Sequence, residues 1–110
     1  MNFLIVNKAT ALFTLFLLSV FYMLVILQKK MINYLNKNRN SNVLAYSLTD
    51  TSISVVFKDQ KYVYVYNENK PGITKVERMK KYAVSGEGLN EYIKKEIGGN
   101  YAAKKQLKKN

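Results

Sequence analysis

Hydrophobic and polar positions divide this chain into four zones. From Ala9 to Leu27 the sequence ATALFTLFLLSVFYMLVIL carries no charge, and only Thr10, Thr14 and Ser19 interrupt it with hydroxyls. As a helix it extends about 28 Å, close to the roughly 30 Å hydrocarbon layer of a bilayer, so the pattern predicts a transmembrane helix. A second zone, NKNRNSN (Asn36 to Asn42), offers nothing to bury and reads as linker. Segments rich in β-branched and aromatic residues follow in VLAYSL (Val43 to Leu48), SISVVF (Ser52 to Phe57) and KYVYVY (Lys61 to Tyr66), the last with its tyrosines at period two, which predicts three short strands. Beyond the loop NENKPG, apolar residues recur at helical spacing, first as Ile73, Val76, Met79, Tyr82 and Ala83, then as Leu89, Tyr92, Ile93 and Ile97. Gly86 and the Gly98-Gly99 pair are placed to stop these two helices.

The expected fold class is therefore α+β: a small three-stranded antiparallel sheet packed by two short helices and preceded by one transmembrane helix. Its expected divisions are residues 1–30 for the transmembrane segment and flanks, 31–42 for a linker, 43–101 for the folded domain and 102–110 for a basic tail. A two-residue hairpin loop at Asp59-Gln60 sets Val55 opposite Tyr64 and Ile53 opposite Tyr66. Ile53, Val55, Phe57, Tyr62, Tyr64 and Tyr66 then share one face. That face is either the core beneath the helices or, if the rings stay open, a platform for stacking bases.

Flanking charge orients the apolar segment. Lys29, Lys30, Lys37 and Arg39 follow it where only Lys8 precedes it, and the positive-inside rule keeps the carboxyl-terminal domain in the cytoplasm. No small-residue cleavage site follows Val25. Met31 lies immediately after the segment; translation from there leaves a cytoplasmic chain without the span.

Composition restricts the chemistry. The 110 residues hold 18 Lys and Arg against 7 Asp and Glu, a net charge of +11, which favours phosphate-bearing partners, either nucleic acid or anionic lipid head groups. With no Cys and no His there is no thiolate, no imidazole base and no zinc site of the usual kind. Glu87 and Glu91 stand four apart, a spacing that suits a helix-surface pair as well as an acid/base pair. No catalytic role and no cofactor are expected. A nucleic-acid surface, if there is one, draws phosphate affinity from Lys58, Lys61, Lys80, Lys81, Lys94 and Lys95 and stacking from Tyr62, Tyr64 and Tyr66. The tail AAKKQLKKN, taken as a helix, presents Lys104, Lys105, Lys108 and Lys109 largely on one side, suited to anionic lipid.

SNVLAYS near the start of the domain, the doubled Y-x-Y of Tyr62-Val63-Tyr64-Val65-Tyr66 and SGEGLNEYIKK (Ser85 to Lys95) occur in an order and spacing that resembles the KTSC domain family. That family takes its name from a domain at the C-terminus of some lysyl-tRNA synthetases and also occurs as small bacterial and phage-type proteins. The resemblance covers residues 42–101. It implies RNA binding, suggested for the family from its association with a tRNA-charging enzyme, and no established activity. Gln60 stands where the family's hairpin usually has Gly, and the apolar segment lies outside the family pattern. The leading expectation is a membrane-tethered binding module for RNA; the alternative is a module that binds protein or anionic lipid, with no nucleic-acid role.

Overall fold

In the computed structural model, the backbone is described for residues 2–27 and 30–107, and the side chains for residues 10–22 and 30–107. Among these residues the protein is α+β, with five antiparallel strands and three helices. The elements are α1 (Asn2–Leu27), β1 (Ile32–Asn33), β2 (Val43–Leu48), β3 (Ser52–Phe57), β4 (Tyr62–Asn67), α2 (Ile73–Ser85), α3 (Leu89–Tyr92), running on as a π-helical turn at Ile93–Ile97, and β5 (Ala103–Gln106). The strands lie side by side in chain order, with both later helices inserted between the neighbours β4 and β5.

The predicted central strands form where β-branched and aromatic residues are concentrated, in SISVVF and YVYVYN above all. Ile53 pairs with Tyr66 and Val55 with Tyr64, the register expected from the hairpin. A bulge between Val43 and Ala45 shifts the β2 register, so that Val43 and Tyr46 both enter the core. Val76, Met79 and Ala83 on α2, and Leu89, Tyr92, Ile93 and Ile97 on the last helix, cover this face. The opposite face carries the shorter side chains Ala45, Ser47, Ser54 and Val56. Gly86 ends α2 in the left-handed conformation, and its N–H reaches the carbonyls of Tyr82 and Ala83.

Four expectations are corrected. The sheet has five strands, because two short stretches, Ile32–Asn33 and Ala103–Gln106, become strands by pairing. Residues 31–42 are not simply a linker: β1 pairs with β2, and the Tyr34 ring lies in the core with its hydroxyl accepting the Leu89 N–H at 3.3 Å. The basic tail is not helical where it is described: Ala103–Gln106 pair with β4, which sends Lys104 and Lys105 to opposite faces. Lys108 and Lys109 lie outside the described residues.

The fourth correction concerns the membrane. Side chains of α1 are described from Thr10 to Tyr22, where the large apolar ones are 42% to 66% exposed. Among the described residues no helix is long and apolar enough to cross a membrane, so the single-pass reading of Ala9 to Leu27 does not stand.

Candidate functional site

The tyrosine stripe of β4 is the feature the sequence singles out, and its geometry is mostly inward. Tyr66, 2% exposed, lies among the core residues opposite Ile53. Burial pushes its hydroxyl up to about 12 from 10.0, and the neighbouring Tyr64 and Tyr101 add to the rise. Tyr64 is half-buried and ringed by edge-on aromatics: Phe57 at 5.4 Å between centroids, Tyr62 at 6.2 Å and Tyr101 at 5.2 Å. Tyr62 is also half-buried, and Lys104 Nζ stands 4.1 Å from its ring centroid and 5.6 Å from that of Tyr64. This contact joins the first and last strands of a pair whose chain connection runs through both helices. It draws the ammonium to the negative ring faces, where a base would otherwise stack.

The candidate lysines do not form one surface. Lys58 and Lys61 are exposed in the turn between β3 and β4. Lys80 is tied to the turn between β2 and β3, donating to the Asp50 carbonyl at 2.8 Å and to Glu77 Oε1 at 3.1 Å. Successive turns of a meander lie at opposite ends of the sheet, and strands of this length separate them by about 20 Å. Lys81 is exposed on α2, and Lys94 and Lys95 are exposed on the π-helical turn. The lysines are thus spread over both ends of the sheet and over the helical layer.

Several residues with evident roles escaped the sequence reading. Lys104 and Tyr101 complete the aromatic cluster, though only the fold brings them to β4. Between α2 and the last helix runs a groove lined by Arg78, Tyr82, Glu91, Tyr92, Lys95 and Glu96. The Tyr82 and Tyr92 rings lie 5.2 Å apart and tilted by 37°. Tyr82, one of the apolar positions at helical spacing, is 39% exposed, its ring packed against Gly88 and Tyr92. Among the described residues the one ion pair is Lys80 to Glu77, so Arg78, Glu91, Lys95 and Glu96 line the groove without one. Among the same residues, no cluster of three or more His, Cys, Asp or Glu is placed to hold a metal ion.

No protein-family model matches the chain, and neither a curated protein nor a solved structure matches it. The resemblance to the KTSC family therefore rests on the three quoted motifs alone. What the fold and surface define is a small basic α+β domain with a meander sheet, closed on one face by helices.

Proposed function

We propose that this chain is a protein-interaction module whose partner presents acidic side chains, rather than an RNA-binding module. One observation carries the reading: the tyrosine stripe is filled from within, with Tyr66 in the core and Lys104 seated over Tyr62. Base stacking on an aromatic ring contributes roughly 1–3 kcal/mol per base, and it requires an open ring face. Here a base must first displace Lys104. Phosphate affinity also favours cations that track a backbone, whereas these lysines are divided between the two ends of the sheet and the helices.

The net charge of +11 supports an acidic partner of some kind. Charge complementarity across a protein interface raises the association rate and excludes like-charged partners, and it does not require a continuous track. Lipid docking through the tail is disfavoured by β5, which splits Lys104 and Lys105 between faces.

Fluorescence anisotropy with the full chain tests the reading, using a labelled glutamate-rich peptide and a labelled single-stranded RNA of similar net charge at 50 mM and 200 mM salt. The expected result is saturable peptide binding together with weak RNA binding that does not change in Tyr62→Ala. Tight RNA binding, lost in Tyr62→Ala while the circular dichroism spectrum stays intact, overturns the proposal and restores the stacking platform.

A further inference from the structure

β5 ends the sheet, and among the described residues no strand pairs with its outer side. Its register determines which backbone groups point outward. The Leu107 N–H donates to the Lys61 carbonyl at 2.9 Å, and Lys105 stands opposite Val63 two residues further along. In an antiparallel ladder, hydrogen-bonded positions alternate with free ones, so Lys105 and Leu107 point towards β4. The N–H and C=O groups of Lys104 and Gln106 therefore face away from the sheet. The opposite edge is much poorer: β1 has only two residues, Ile32 and Asn33.

An open edge of this kind is a template for another strand. Its side chains restrict what that strand can be. Lys104 stands on the helix-covered face, opposite Tyr64, and Lys105 on the other face, opposite Val63. A second copy pairing through the same edge sets lysines against lysines, which destabilises a cross-strand pair. An incoming strand with acidic residues on both faces gains an opposite-charge neighbour at each lysine. Lys61, exposed at the end of β4 and adjacent to Leu107, extends the same positive field.

We infer that the outer edge of β5 takes an extended acidic segment of a partner protein as a sixth strand of the sheet. This rests on the proposed protein-interaction reading and assigns it a place and a geometry. Backbone groups of Lys104 and Gln106 supply the pairing, and Lys104 and Lys105 supply the choice of acidic over basic or identical strands.

The register also supplies the control. Gln106 pairs with Tyr62 at a position whose N–H is turned outward, so Gln106→Pro leaves the β4 ladder complete while removing an outward donor. Full chain labelled with 15N is titrated with a seven-residue peptide of Val and Thr carrying two adjacent Glu at its centre, which fall on opposite faces of a strand, with its Lys-for-Glu counterpart, and with a single-stranded RNA. The acidic peptide is expected to slow exchange of the Lys104 and Gln106 amide protons and to bind at least tenfold more tightly than the basic peptide. Gln106→Pro is expected to weaken it at least tenfold, and Lys105→Glu to erase most of the charge preference.

Peptide binding that perturbs other amides and survives Gln106→Pro overturns the edge assignment while leaving the protein-interaction reading in place. RNA binding with no binding of the acidic peptide overturns both. Equal affinity for the acidic and basic peptides overturns the charge selection.

Discussion

Gly88→Ala tests how the SGEG corner is built. Gly88 holds φ +88°, and a Cβ there would lie 2.8 Å from Tyr82 Cδ1 and 3.1 Å from Tyr82 Cε1. Two separate costs follow. Placing an L-residue in the left-handed region costs about 1–2 kcal/mol, partly offset by about 0.5–1 kcal/mol from the lower entropy of the unfolded chain. The Tyr82 ring must also move, which disturbs its contact with Tyr92 at 5.2 Å, an arrangement contributing roughly 0.5–1.5 kcal/mol beyond its burial. The expected total is about 2 kcal/mol. Urea unfolding followed by tyrosine fluorescence measures it directly, since the chain has nine Tyr and no Trp. A double-mutant cycle separates the two costs: in a Tyr82→Ala background the ring is gone, and Gly88→Ala should cost only about 1 kcal/mol. An equal cost in both backgrounds refutes the ring-clash argument.

Tyr66 gives the fold a dependence on alkaline pH. Its folded pKa of about 12 exceeds the unfolded 10.0, so its full contribution is present below pH 10 and is lost as pH rises from 10 through 12. The difference corresponds to roughly 3 kcal/mol, and urea midpoints at pH 9 and pH 11 should diverge less in Tyr66→Phe than in the parent chain. Gln60 holds φ +54° in the β3–β4 turn, and Gln60→Gly should stabilise the domain by about 0.5 kcal/mol; a lower thermal midpoint contradicts this. Lys104→Gln removes the ammonium over Tyr62, with an expected loss of about 0.5–1 kcal/mol. Acrylamide should then quench tyrosine fluorescence more strongly, and unchanged quenching argues against a closed ring face.

The central hairpin was legible because both strands are rich in β-branched and aromatic residues and a two-residue loop fixes one register, which sets Ile53 opposite Tyr66 and Val55 opposite Tyr64. The helix residues Val76, Met79, Ala83, Leu89 and Ile97 were legible from spacing alone. The π-helical turn was not, since the apolar positions Ile93 and Ile97 fit ordinary helical spacing and the Gly98 N–H to Ile93 carbonyl bond at 2.7 Å belongs to the backbone. β1 and β5 were illegible for another reason. Ile32–Asn33 is too short to show a pattern and AKKQ has little strand propensity of its own; both acquire strand conformation by pairing with β2 and β4. The closure of the tyrosine stripe depends on β5 and so was hidden with it: Lys104 reaches Tyr62 only once the helices have returned the chain to the sheet. Ile73 shows the limit of periodicity within an element. It keeps helical spacing with Val76, yet stands in the first turn of α2 and is 43% exposed.

The attachment of the N-terminal region has a mechanical consequence. Tension applied along α1 enters the domain through β1, whose ladder to β2 comprises Ile32 opposite Tyr46, Asn33 opposite Ala45 and the Tyr34 N–H to Leu44 carbonyl bond. Pulled from its end, a strand this short peels one bond at a time and resists little. The load then meets the buried Tyr34 ring and its hydroxyl, held by the Leu89 N–H on the far helix. Resistance therefore begins at Tyr34, and β1 acts as slack that is taken up before force reaches the core.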